Sequence, residues 1–152
     1  MTNYSLLLKQ LDELTFNVPH GISNLANAAA LLWDALPDIN WVGFYMLEDE
    51  TLILGPFQGK VACVEIPIGK GVCGAAAIEN RTQLVADVHK FSGHIACDCA
   101  SNSEIVVPLR RNGKVIGVLD IDSPLLNRFS IDDQVGLEAF TQLLESRINN
   151  RI

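Results

Sequence analysis

Apolar residues along the chain follow two rhythms, one helical and one alternating. Leu7, Leu8, Leu11 and Leu14 recur at helical spacing, with Lys9, Gln10, Asp12 and Glu13 between them. Beyond the break at Pro19-His20-Gly21, Ile22, Leu25, Ala29, Leu32, Trp33 and Leu36 mark a second helix that Pro37 ends. The rhythm then changes. WVGFYML (41–47) and TLILGPF (51–57) are aromatic and β-branched runs around the acidic turn Glu48-Asp49-Glu50, which predicts a hairpin. VACVEIPI reads as a short strand or an irregular edge, because Pro67 cannot donate to a ladder. Residues 71–79 predict a short helix and TQLVADV a brief strand. EIVVPLR and KVIGVLDID flank Asn112-Gly113, the strongest short hairpin signal. Ser130 with Asp133 predicts a capping box, followed by a last helix on Leu137, Phe140, Leu144 and Ile148.

Helices at both ends of a mainly antiparallel sheet predict an α+β fold in one domain, 1–152. KVIGVLDID is apolar on both faces, so it is expected to be central, with helices on one side and loops on the other. Strand alternation puts Asp120 and Asp122 on one face, in line with Ile116 and Val118, while Leu119 and Ile121 face away. Two such acids either run out into solvent before Pro124 or meet something that offsets their burial. Trp41, Gly43 and Tyr45 share a face in the same way. They are either core packing or the walls of a small-ligand cage, with Gly43 leaving room between the rings. Glu104 opens the strand EIVVPLR, seven residues after Cys97, across an Ala-Ser-Asn-Ser stretch able to fold back over the sheet.

Charge and cysteine usage narrow the classes. The net charge of −7 disfavours a nucleic-acid groove or an anionic membrane surface. The opening MTNYSLLLKQLDEL lacks the basic n-region of a signal peptide, so a cytoplasmic protein is expected. In that compartment thiols stay reduced, and four cysteines are not expected to form a structural disulfide framework. They contain no C-x-x-C pair, so no metal site is expected from them and His94. Cys63, among Val61, Ala62 and Val64, reads as a buried thiol. Cys97 and Cys99 lie in a polar stretch where a thiol's reactivity is usable, including sulfenic acid chemistry.

GKGVCG (69–74), QLVADVH (83–89), GHIACD (93–98), SEIVVPL (103–109) and GVLDIDS (117–123), with WVGFY and FSIDDQVGLE, closely resemble the free methionine-(R)-sulfoxide reductases. The spacing of Cys63, Cys73 and Cys97 resembles that family's three-cysteine signature. The resemblance implies a GAF-like fold and reduction of free methionine-R-sulfoxide, with thioredoxin as external reductant, no bound cofactor and a homodimeric state. It implies Cys97 as nucleophile and Cys63 and Cys73 as resolving cysteines, Cys63 pairing with Cys97. Glu104, Asp120 and Asp122 would line the pocket, with Glu104 also catalytic, and Trp41 and Tyr45 would form its aromatic wall. Cys99 departs from the family pattern. The alternatives are a GAF sensor module that binds a small ligand without changing it and a thiol switch acting on peroxide. Sensors normally sit beside an output domain, for which 152 residues are expected to leave no room.

Overall fold

A computed structural model describes residues 1–93 and 100–148. The helical rhythm yields α1 (Tyr4–Thr15) and α2 (Gly21–Ala35), and the alternating one yields β1 (Trp41–Glu48) and β2 (Thr51–Gly59). A short β3 (Glu65–Pro67) leads into α3 (Gly71–Glu79) and then β4 (Gln83–Val85). The chain closes with β5 (Ser103–Arg111), β6 (Lys114–Ser123) and α4 (Ile131–Ile148). The six strands form one sheet in the order β3-β2-β1-β6-β5-β4, and every neighbouring pair is antiparallel. β6 is central, as its two apolar faces require. Among the described residues no helix is long and apolar enough to cross a membrane.

Local chemistry explains the joints. Asn112 and Gly113 both take positive φ, +53° and +77°, the geometry of a two-residue hairpin whose twist matches its strands. Arg111 accordingly pairs with Lys114. Before α4, the Ser130 amide donates to Asp133 Oδ2 at 2.9 Å and the Asp133 amide donates to Ser130 Oγ at 3.1 Å. This reciprocal cap satisfies amides that a helix start leaves open.

The sheet separates two cores. On one face Val42 and Phe44 of β1, Ile105 and Val107 of β5, and Leu119 and Ile121 of β6 pack against α1, α2 and α4. On the other, Trp41, Tyr45, Val106 and Val118 pack with Ile66, Val72, Cys73, Ala76 and Ala77. That second face is covered by the β3–α3 segment as well as by loops.

Three expectations are corrected. Ile22 and Trp33 are exposed, because the buried stripe of α2 runs through Asn24, Leu25, Ala28, Ala29 and Leu32 and leaves them beside it. Ile116 packs on the helix side, away from Val118. The register steps from Leu109↔Gly117 to Arg110↔Val115, so Ile116 is the extra residue of a bulge and the alternation slips there. Cys63 is half-buried in the loop before β3 rather than a core thiol, and its neighbours Val61 and Val64 are exposed.

Candidate active site

The sheet's second face carries a small, partly open cavity of about 50 Å³. Trp41, Tyr45, Glu104, Asp120, Asp122 and Cys73 all line it, joined by Val61, Ala62, Ile66, Lys70, Gly71, Val72 and Ser101. Pairing of three strands brings the acids together. Glu104 pairs with Asp122, Gly43 with Asp120, and Trp41 with Asp122. The seventeen residues between Glu104 and Asp122 fold into one hairpin, and the two acids meet at its open end.

Glu104 and Asp120 are 7% and 6% exposed, so the solvated strand-end reading is excluded for them. Asp122 is half-buried. Asp120 Oδ1 is buried without a hydrogen-bond partner. Burial and then the charges of Asp120 and Asp122 push the Glu104 carboxyl well above the ordinary carboxylate range. Burial also raises Asp120, only partly offset by hydrogen bonds from Glu104 and Cys73. Those hydrogen bonds exist only while Glu104 and Cys73 keep their protons, since two carboxylates have no donor to share.

Cys73 lies in the first turn of α3 and is a buried free thiol. A helix start favours a thiolate, but burial and then the fields of Asp120, Glu104 and Asp122 push its pKa well above the thiol's usual value. Cys63 is disulfide-bonded. Cys97, Cys99 and His94 lie outside the described residues.

The aromatic wall is built from packed rings. Trp41 stacks on Tyr45 with centroids 5.9 Å apart and on Phe57 at 5.2 Å. The space above Gly43 belongs to these rings, not to a ligand. A Cβ there would stand 2.3 Å from Phe57 Cβ and 2.7 Å from the Trp41 ring. The polar tips of both wall residues are committed to one loop. Trp41 Nε1 donates to the Lys60 carbonyl at 3.1 Å, and the Tyr45 hydroxyl donates to the Cys63 carbonyl at 2.8 Å. Burial raises the Tyr45 phenol far above its usual pKa.

Ser101 and Lys70 line the cavity without having been anticipated from sequence. Ser101 is buried, and its Oγ accepts from Asn40 Nδ2 at 3.2 Å. Its signal was available: the Ala-Ser-Asn-Ser stretch does return over the sheet end, with the Asn102 amide donating to the Ser123 carbonyl at 2.7 Å. Lys70 precedes α3 in the GKG turn, where Gly74 allows close approach. A Cβ on Gly74 would meet the Pro67 carbonyl at 2.8 Å and the Gly69 amide nitrogen at 2.9 Å.

A GAF domain family model matches residues 24–149. The free methionine-R-sulfoxide reductase of Escherichia coli is 54% identical over 142 residues, 93% of this chain and 86% of that protein. That of Saccharomyces cerevisiae is 49% identical and covers 91% of this chain and 81% of its own. The chain belongs to the GAF-domain free methionine-R-sulfoxide reductase family. Structures of this family superpose closely. The fRMsr of Staphylococcus aureus in complex with substrate shares 57% identity, with a TM-score of 0.93 and coverage of 98% and 97% of the two chains. The free methionine-R-sulfoxide reductase of Neisseria meningitidis, also with its substrate, shares 43% identity at a TM-score of 0.92, covering 95% of this chain and 87% of that one. GAF domains of phosphoenolpyruvate-protein phosphotransferases, at 17% and 19% identity, share the fold alone.

Proposed function

We propose that this enzyme reduces free L-methionine-(R)-S-oxide to L-methionine at the pocket on the second face of the sheet, and that it needs no bound cofactor. The reading rests above all on Glu104 and Asp120, carboxyls held next to an aromatic wall, where burial strengthens their hold on a proton. A sulfoxide oxygen departs from its sulfur only once protonated, and a carboxyl that keeps its proton above the ordinary range is suited to donate that proton. Glu104 is the acid with that character. Asp120 and Asp122 would hold the substrate's ammonium, a group that methionine within a polypeptide lacks. The substrate's carboxylate would meet the first turn of α3, whose leading amides point out of the helix end. Trp41 and Tyr45 would pack on the S-methyl group.

In the proposed cycle the Cys97 thiolate attacks the sulfoxide sulfur. As the oxygen is protonated, the methionine sulfur–oxygen bond breaks and a Cys97 sulfur–oxygen bond forms, so methionine is released with its sulfur reduced and Cys97 is oxidised to a sulfenic acid. The Cys63 thiol then attacks that sulfenic sulfur and expels water, forming a disulfide. Thioredoxin's dithiol returns both cysteines to thiols and becomes a disulfide itself. Cys73 was expected to share the resolving role. Its burial among carboxyls disfavours the thiolate that resolution requires, which leaves Cys63 as the proposed resolving cysteine.

The test is turnover with NADPH, thioredoxin reductase and thioredoxin, run separately on the R and S epimers of free methionine sulfoxide. NADPH consumption with the R epimer alone is expected. Consumption with peroxide only would indicate a thiol switch, and no consumption with either would indicate a ligand-binding sensor.

A further inference from the structure

We propose that Cys73, Glu104 and Asp120 form a binding site for one thiophilic divalent cation, of the zinc or cadmium class, on the floor of the pocket. Each residue offers one ligand atom, and the three atoms lie within 4.8 Å of one another. All three residues are at least nine-tenths buried. They come from three separate elements, α3, β5 and β6, so the cluster is fixed by tertiary packing rather than by one mobile loop. A second observation points to a ligand. Asp120 lines the cavity, and its Oδ1 is buried without a hydrogen-bond partner, the state in which a carboxylate oxygen gains most from a cation.

The donor set selects the class of ion. One sulfur and two carboxylate oxygens suit a borderline-soft ion, whereas magnesium and calcium take oxygen ligands only. Bond lengths of about 2.0 Å to oxygen and 2.3 Å to sulfur put tetrahedral donors roughly 3.3–3.5 Å apart. Closing to that spacing needs side-chain movements of about 1–1.5 Å at most. The thiol proton leaves for solvent as the sulfur ligates. Three protein ligands leave a fourth position of a tetrahedral ion open, and Asp122 lines the same cavity. This set differs from the one the sequence suggested, which joined the cysteines to His94 and was not expected to bind metal.

The test is a titration with cadmium chloride of the full-length chain carrying Cys63→Ser, Cys97→Ser and Cys99→Ser, so that Cys73 is its remaining thiol. The readout is the ultraviolet thiolate-to-cadmium charge-transfer band. One equivalent is expected to saturate the band, and Glu104→Gln or Asp120→Asn added to this chain should each weaken binding at least about tenfold. Absence of the band, or an affinity unchanged by both carboxyl substitutions, would overturn the proposal. Thermal unfolding with zinc provides a second readout that does not depend on the carboxyl variants folding. Zinc should raise the Tm of the parent chain by binding its native state and should not raise that of the Cys73→Ser version. Equal shifts in both would overturn the site. Where the cation overlaps the proposed substrate position, free methionine-R-sulfoxide should displace cadmium. Cadmium binding that is intact but insensitive to the sulfoxide would support the cation site and count against the substrate reading.

Discussion

Two buried acids in this molecule are treated in opposite ways. Asp133, at the start of α4, is surrounded by donors. The Tyr4 hydroxyl reaches Oδ1 at 2.6 Å, while the Ser130 amide and hydroxyl and Arg128 Nη1 reach Oδ2 at 2.9, 3.1 and 3.2 Å. Burial alone raises its pKa, but the Tyr4 and Ser130 hydrogen bonds and the Arg128 charge outweigh burial and hold it below the ordinary value. Asp120, on the pocket face of β6, has one oxygen with no partner, and its pKa is raised. The difference separates structure from function. Where a carboxylate fastens a terminal helix to the fold, its charge is fully answered. Where the fold leaves the charge unanswered, the group remains able to take a proton, an ammonium or a cation.

The contrast is sharpest in variants. The largest effect is expected from Cys97→Ser, which should reduce single-turnover methionine release to background with little change in Tm. Release near the wild-type amount would move the nucleophile to another thiol. Next comes the exchange of acid for amide on the two sides. Asp120→Asn should lower kcat/KM for free methionine-R-sulfoxide at least about tenfold, since a charge-assisted contact is worth roughly 1.5–3 kcal/mol. Its stability should stay level or rise, because a buried charge with one unpartnered oxygen is removed. Asp133→Asn should do the reverse, costing about 1–2 kcal/mol in urea unfolding through the weakened cap and the Tyr4 contact while kcat/KM stays unchanged. Equal behaviour of the two variants in both assays would erase the distinction.

The pH dependence should split in the same direction. Between an unfolded carboxyl's pKa near 4 and the raised folded values of Glu104 and Asp120, the native state holds more protons than the unfolded chain. Stability therefore falls as pH rises through that window. Glu104→Gln should remove part of this fall, so its stability relative to wild type should grow with pH above about 4. Asp133 has a lowered folded pKa, so its contribution is full above about pH 4 and is lost as pH falls through the folded value. Urea unfolding of wild type, Glu104→Gln and Asp133→Asn across this range measures both slopes. The smallest effect is expected from Ile22→Ser. Ile22 is 61% exposed on α2, so the change should lie within about 0.5 kcal/mol and leave activity alone.

How far the sequence could be read followed how local each signal was. The alternation of β1 and of 117–122 in β6 assigns each side chain to a face without knowledge of the partner strand. The pocket acids and the aromatic wall were therefore visible before the sheet was assembled. The turn at Asn112-Gly113 pairs Arg111 with Lys114, but counting from the turn alone puts Glu104 opposite Ile121; the extra residue of the bulge at Ile116 brings it opposite Asp122. What the sequence could not carry was set by contacts between distant segments. The bulge that turns Ile116 away depends on the β5 partner, and the exposure of Trp33 depends on which stripe of α2 meets the sheet. Cys63 reads as core because its neighbours are apolar, yet they lie in an irregular loop before β3, where Val61 and Val64 are exposed. Lys70 carries no alternation or spacing signal, and only the folded turn before α3 brings it to the cavity.

Trp41 and Tyr45 each anchor the same four-residue loop, through the carbonyls of Lys60 and Cys63. The segment that carries Cys63 is thus coupled mechanically to the indole on the opposite wall of the pocket. The proposed cycling of Cys63 between thiol and disulfide would then change the surroundings of Trp41 Nε1. The enzyme therefore contains its own optical gauge. Against the steady emission of solvent-facing Trp33, a stopped-flow fluorescence trace should follow each opening and closing of the loop in real time, without any added label.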